Sequence, residues 1–518
     1  MKDRKRNLVK KENRFYKYLA LSVEVFSFLT FILGILLISK TISLSNSFLG
    51  LKLIKWIGLL WAYIGAGGVI LGLMSYFVSP GTSPEKNPGL GISLPVVFYY
   101  FIATGCIISY LDGTALISFI IGLIVALAVF LVSIYLREDL SSTILPSLLP
   151  LVPSSLILTG IIDIGFNWNP ETLGVVFNST ILLSVASIFL GILIIWISAK
   201  AYGGFGKVGR QKGAYTLFTV NSMAMVALLA VIIIYIMIRG LPVAFRGIEI
   251  GPGLSFDWPF VMNGYSITNE YNGVFPAIVG TVWLVFGAIL LAVPLGVGAA
   301  VFLTEYGKGG RFTRLIETVT NSLWSTPSIV FGLFGYAFFV PRLGNSLSLL
   351  SGMIVLGFML LPLVVITSRE SIKSVPSEYR DASIALGVSK WETIKSVVVP
   401  SALPGVVTGI ILGVGRIAGE TAPILLVTGG EPFPSKAVNV LTSFELMGSP
   451  PFITNQALLE ASSALPYQLY SIITAGVGAE GKEAFGWATA AILLLVVLSF
   501  YLIGIITRIY FRRKLNSE

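Results

Sequence analysis

Histidine is absent from this 518-residue chain, and cysteine occurs once, at Cys106. The first absence removes imidazole acid–base chemistry and histidine metal ligation. The second removes any intrachain disulfide and any cysteine cluster. Charge is scarce as well. Asp, Glu, Lys and Arg make up 12% of the residues, against about 25% in an ordinary soluble domain. No complete G-x-x-x-x-G-K-[ST] loop occurs, so a phosphate-cradling nucleotide site is not expected on this chain. The few acids of the basic loops are dispersed, which argues against a membrane-embedded transferase with an acidic site.

What is present is apolar. Hydrophobic residues make up 55% of the chain, and runs of about 18 or more recur, the mark of a polytopic membrane protein. The predicted spans of the first half are Leu19–Ile38, Ile54–Val78, Ile92–Leu111, Ala115–Leu136, Thr143–Ile161 and Val175–Ser198. Thr143–Ile161 is the weakest, because Pro146, Pro150 and Pro153 interrupt it. The second half gives Leu217–Ile238, Phe275–Leu303, Leu323–Val340, Leu347–Ile366, Pro404–Thr428 and Trp487–Ile506. Pro294 predicts a kink or an early end in the second of these. The expected fold is therefore an all-α polytopic membrane protein.

Net charge is +10, and the basic residues sit at the termini and in short loops. That is the positive-inside pattern rather than a nucleic-acid surface. Lys2, Arg4, Lys5, Arg6, Lys10, Lys11, Arg14 and Lys17 place the N-terminus in the cytoplasm of a plasma-membrane protein. Arg508, Arg512, Arg513 and Lys514 do the same for the C-terminus. Lys200, Lys207, Arg210 and Lys212 mark another inside loop, so the first half must cross an even number of times, and six spans satisfy this. The run after Met1–Lys17 is long and lacks a small-residue cleavage site, so it reads as a retained first span. The chain divides into an extension of about six helices at 1–199, a basic glycine-rich linker at 200–213 and a second membrane domain at 214–518.

Two stretches of the second half stand out. Residues 374–400 form a charged loop between two spans. Pro376 and Ser377 open a short helix, and Gly387 would end it in a left-handed turn. Ser389-Lys-Trp-Glu392 has the form of a capping box and would open a second short helix. Trp391, Ile394 and Val397 make a narrow apolar stripe. Such a protrusion suits a cleft on a partner protein or the lipid surface. The other stretch, Arg416-Ile-Ala-Gly-Glu420-Thr421-Ala-Pro423, places two charges inside a membrane segment. Pro404 starts the helix, so Arg416 lies about 18 Å along it, near the middle of a hydrocarbon core about 30 Å thick. Charges at that depth face protein or water. They are either an intrahelical ion pair or a site. Ser328 and Gly332 form a small-xxx-small pair that permits close helix packing, or a chance spacing in a glycine-rich chain.

Asp381-Ala-Ser-Ile-Ala-Leu-Gly387 resembles the E-A-A-x-x-x-G loop of ABC importer permeases, with Asp381 for glutamate and Ser383 for the second alanine. More of the second half is similar to the PstA-type permeases of phosphate-specific importers. The stretches are Gly273-Val-Phe-Pro-Ala-Ile-Val-Gly280, Pro294-Leu-Gly-Val-Gly298, Glu305-Tyr-Gly-Lys-Gly309, Thr326-Pro-Ser-Ile-Val-Phe-Gly-Leu-Phe334 and Arg416–Pro423, with Leu465–Tyr470 less specific. The resemblance covers roughly the last 300 residues. It implies a six-helix, MetI-like permease core preceded by the extra helices. It also implies a phosphate path through Arg416, Glu420 and Thr421, and ATPase docking through Glu378, Arg380, Asp381, Ala382, Ser383, Gly387 and Trp391. The implied partners are a PstC-type permease, a PstB-type ATPase dimer that uses the ATP, and an external PstS-type phosphate-binding protein. The chain itself would be no enzyme and would hold no cofactor or metal. The alternatives are a permease for another oxyanion, such as molybdate or sulfate, and an ion-coupled secondary transporter. Residues 1–199 match no family motif.

Overall fold

Small residues decide how the first helices pack. In the computed structural model, which describes residues 13–78, 82–86, 90–111, 114–170, 176–250, 256–265, 272–307, 310–449, 452–474 and 482–517, the chain forms two units, 1–228 and 229–518. The basic residues Lys2 to Lys11, and Lys308 and Gly309 of one motif, lie outside the described residues.

The first unit holds helices α1 (Arg14–Ile38), α2 (Leu53–Phe77), α3 (Leu90–Tyr110), α4 (Ala115–Tyr135), α5 (Glu138–Thr159) and α6 (Ser179–Tyr202), and the start of α7 (Gly206–Ala244). Gly58, Gly65, Gly68 and Gly72 form one stripe on α2, and it faces α5. A Cβ at Gly68 would lie 2.0 Å from Ser147 Oγ, and one at Gly72 2.2 Å from Thr143 Oγ1. Apolar side chains gain little from meeting one another in lipid, so this close backbone approach is what holds the pair together. Helix α5 runs unbroken through all three of its prolines.

At one end of this unit charges are buried. Glu138 and Asp139 open α5 and are fully enclosed. Glu138 Oε1 lies 2.9 Å from Lys200 Nζ and 3.3 Å from Arg210 Nη1. Its Oε2 accepts from the backbone N–H of Glu85 at 2.8 Å and of Gly206 at 3.0 Å. Arg137 forks onto Asp139 at 2.9 and 2.5 Å, and Ser75 donates to the same carboxylate at 3.0 Å. Residues 200–213 are thus not extended: α6 ends at Tyr202, Gly204 and Phe205 turn with positive φ, and α7 begins at Gly206.

The second unit is built on α8 (Phe275–Val301), α11 (Leu349–Lys373) and α13 (Lys390–Ala418), with α16 (Lys482–Ser517) against α13. Leu284, Ala288, Ala292, Leu356, Leu360 and Ile417 are core residues between them. Pro294 does not end α8, which passes through a π-helical turn at Phe302–Tyr306.

Two predicted spans differ from the structure. Leu323–Val340 is not one straight span. Helix α9 (Arg311–Ser325) and α10 (Ser328–Phe334) with its continuation to Arg342 meet at 104°. The bend falls at Thr326, which the ring of Pro327 keeps out of the helical region, at ψ 131°. Pro404–Thr428 is likewise broken. Its helix starts earlier, at Lys390, stops at Ala418, and resumes as α14 (Ala422–Val427). Among the described residues, ten helices are long and apolar enough to cross a membrane, or eleven with the bent pair. Helix α3 provides a shorter apolar segment, Leu94–Tyr110. The chain is a multi-pass, mostly helical membrane protein with additional helices ahead of its second unit.

Candidate functional site

The loop after α11 folds into a protrusion whose parts have separate duties. Helix α12 (Ser377–Ala385) ends at Leu386, and Gly387 follows with φ +74°. Ser389 then caps α13, accepting from the backbone N–H of Glu392 at 3.3 Å. The second short helix expected here is the first turn of α13 itself, which passes through a π segment at Ile394–Val398. The expected apolar stripe does not share one environment. Ile394 is buried, Val397 is half-buried and Trp391 is 60% exposed.

Arg380 faces inward. It donates from Nε and Nη2 to Glu305 at 3.1 and 2.8 Å, to the carbonyl of Val375 at 2.8 Å and to that of Ile372 at 3.1 Å. One side chain therefore binds α12 to the end of α11 and to the π turn after α8. Lys390 adds a bond to the carbonyl of Glu305 and lies 4.6 Å from the centre of the Tyr306 ring. Ser383 is buried, and its carbonyl accepts from Val388 N at 3.2 Å. Glu378, Asp381 and Ala382 are exposed, with Tyr379, Ile384 and Leu386. The seven expected residues thus divide. Arg380, Ser383 and Gly387 shape the protrusion, and Glu378, Asp381, Ala382 and Trp391 present its outer surface.

The second constellation gathers where α13 breaks. Arg416 stands in the last turn of α13, where the helix dipole favours a cation. Gly419 closes the helix, and Glu420 lies in the interruption, half-buried. The two still approach, but Arg416 Nε is 3.8 Å from Glu420 Oε1, too far for a well-formed hydrogen bond. The Arg416 side chain keeps 36% of its exposure. Its guanidinium carbon lies 4.4 Å from the centre of the Trp324 ring on α9. Ser328, just past the bend, lies near the Glu420 carboxylate. Thr421 is half-buried at the start of α14, and its side chain does not cap that helix. Gly332 of α10 packs on α14, where a Cβ would lie 2.9 Å from Pro423 Cα.

Helix α9 turns Thr313, Ile316, Glu317, Thr320 and Leu323 toward the protein and leaves Arg311, Arg314 and Thr318 exposed. Glu317 forms an ion pair with Arg369 of α11. Glu317, Thr320, Asn321, Arg369 and Leu303 line a cavity of about 180 Å³. Phe312, Leu315 and Val319 point outward. Sequence reasoning found Arg416 and Glu420 and missed Trp324, the nearness of Ser328 to Glu420, and both anchoring ion pairs, Arg380–Glu305 and Arg369–Glu317. No spacing rule joins residues so far apart in the chain. The one available signal was the Thr326-Pro327 step, which marks a turn beside Trp324.

Residues 292–516 match the family described as "Binding-protein-dependent transport system inner membrane component". A probable ABC transporter permease protein, YqgI of Bacillus subtilis, is 35% identical over 219 residues, covering 42% of this chain and 70% of that protein. The phosphate transport system permease protein PstA of Xylella fastidiosa is 34% identical over 229 residues, covering 44% and 72%. This chain belongs to the ABC transporter permease family. The phosphate transport system permease protein PstA 1 of Mycobacterium tuberculosis is 41% identical over 172 residues, or 33% of this permease and 56% of its relative. Among solved structures, the inward-facing MetNI methionine ABC transporter matches 46% of this permease and 94% of that chain, at 17% identity and a TM-score of 0.34.

Proposed function

We propose that this permease is the transmembrane subunit of an ATP-driven phosphate importer. Phosphate transport permeases among its relatives support the substrate. The observation that carries the reading is the state of Arg416. It is a half-exposed cation at the break of a membrane helix, and its carboxylate neighbour is 3.8 Å away. Guanidinium binds a tetrahedral oxyanion through paired, charge-assisted N–H bonds, a geometry that lysine cannot reproduce. Glu420 would occupy Arg416 between transport events and keep phosphate from being trapped. Thr421 adds a hydroxyl within the same interruption.

The permease pairs with a PstC-type permease and receives phosphate from an external PstS-type binding protein. A PstB-type ATPase dimer docks on the protrusion at 374–400, in the cytoplasm, as do both termini. The outward set of Glu378, Asp381, Ala382 and Trp391 meets the ATPase. Arg380 passes its motion to α11 and the π turn after α8. Copurification of those subunits with the native chain checks this assignment.

The deciding experiment is uptake of labelled phosphate by the assembled transporter. Arg416→Lys should abolish uptake while the complex and its basal ATP hydrolysis survive. Normal uptake by that variant would overturn the reading. Unlabelled phosphate should compete with the label, and molybdate and sulfate should not. Competition by either would reassign the substrate to that oxyanion.

A further inference from the structure

An anion site built on one arginine must hold its guanidinium still without consuming its N–H groups. A close carboxylate would fix the side chain but would occupy the edge that binds the ligand. An aromatic ring avoids this conflict. It attracts the positive face of the guanidinium and leaves the N–H edge free.

Arg416 is held in that second way. Trp324 covers its face at 4.4 Å, while Glu420 stays at 3.8 Å from Nε. Among the described residues, no side chain or carbonyl takes a hydrogen bond from the guanidinium in this structure. Ser328 lies near Glu420 in turn. Trp324 and Ser328 flank the Thr326–Pro327 bend, so one sharply turned element carries the ring that covers Arg416. Helix α9 is itself fastened to α11 through Glu317 and Arg369. The ring is therefore carried on an anchored helix.

We infer that Trp324 is a positioning residue for the oxyanion, presenting the N–H edge of Arg416 to it by stacking on the guanidinium face. The inference deepens the phosphate-import reading and rests on it. The aromatic face matters more than the bulk of the side chain. Tryptophan has the strongest ring quadrupole among the aromatic side chains, phenylalanine keeps a weaker one, and leucine keeps only apolar volume.

The test uses the complete transporter and labelled inorganic phosphate, with KM and kcat of uptake measured separately. Trp324→Leu should raise KM about five- to tenfold, the size of a partly desolvated cation–π contact, with basal ATP hydrolysis unchanged. Trp324→Phe should return KM to within about twofold of the wild-type value. An unchanged KM in Trp324→Leu would overturn the proposal. So would equal loss of the assembled complex in both variants, because the ring would then be a packing element. Failure of the underlying reading shows itself separately, as a wild-type complex that takes up no labelled phosphate, and the proposal then falls with it.

Discussion

Each unit of this permease places a glutamate beside a cation, and the two are treated in opposite ways. Glu138 is fully enclosed and receives two side-chain cations and two backbone N–H groups, all within 3.3 Å. Glu420 is half-buried and stands 3.8 Å from Arg416. Burying a carboxylate costs several kcal/mol unless every lone pair is matched, and around Glu138 they are matched. That carboxylate has nothing left to bind, so it can only hold the structure. Around Arg416 and Glu420 the pairing is incomplete and water-accessible. An incompletely paired arginine can exchange its partner for a ligand at little cost. The degree of satisfaction, rather than the presence of charge in a membrane segment, distinguishes the enclosed network from the proposed site.

The comparison breaks most readily at Glu138. Glu138→Ala leaves Lys200 enclosed with a charge and frees two backbone N–H groups. Removing one partner of such a buried pair costs about 3–5 kcal/mol. The first unit should lose its fold, seen as aggregation of the detergent-solubilised protein at a much lower temperature. Lys200→Met should be milder, because Glu138 keeps Arg210 and both N–H donors. If Glu138→Ala melts like the wild type, the network is not structural and the contrast disappears.

A smaller effect is expected in the second unit, at Gly387. Nothing lies within 4 Å of a Cβ built there, so a side chain meets no neighbour. The cost is confined to the backbone, where φ of +74° disfavours a β-branched residue by about 1–3 kcal/mol. Gly387→Val should therefore leave the membrane core intact and distort only the protrusion. ATP hydrolysis and phosphate uptake should come apart in the assembled transporter. Wild-type uptake by this variant would remove the coupling role from the protrusion.

How much of this was legible in the sequence follows from the range of the interactions. The Gly387 turn and the Ser389 cap are local, set by residues within one helical turn, and both were readable. So was the pairing of Arg416 with Glu420, four residues apart. The break that divides them was not, because hydropathy averages across Gly419 as though the helix continued. The same averaging ran Leu323–Ser325, the end of α9, on into α10 as one span and hid the turn at Pro327. Lys200 and Arg210 were counted as loop charges for orientation. Their burial depends on Glu138, far away in the chain, and composition cannot report that. Trp324 was invisible for the same reason, since only the folded chain brings its ring to Arg416.

The smallest expected effect lies at the rim of the first unit's network and marks where burial stops mattering. Glu85 is bound by Arg210 at 2.5 Å, yet 44% of its side chain is exposed. The hydrogen bond from Arg210 is the main cause holding the Glu85 carboxyl below its ordinary value of 4.5, with further help from the charges of Lys207 and Lys200. A carboxyl lowered in the folded state stabilises the fold at pH values above its unfolded value. That contribution is lost as pH falls through the lowered folded value. The window therefore lies below about pH 4.5, and solvent keeps the contribution small. Glu85→Gln should melt within about a degree of the wild type at pH 7, given how little exposed pairs contribute. It should also flatten the acid limb of stability slightly, and 1 M salt should erase the difference, since screening there acts over about 3 Å. A large loss at pH 7 would mean that Glu85 belongs with Glu138 as part of the enclosed network. The boundary between matched and solvent-screened charge would then have to be drawn further out.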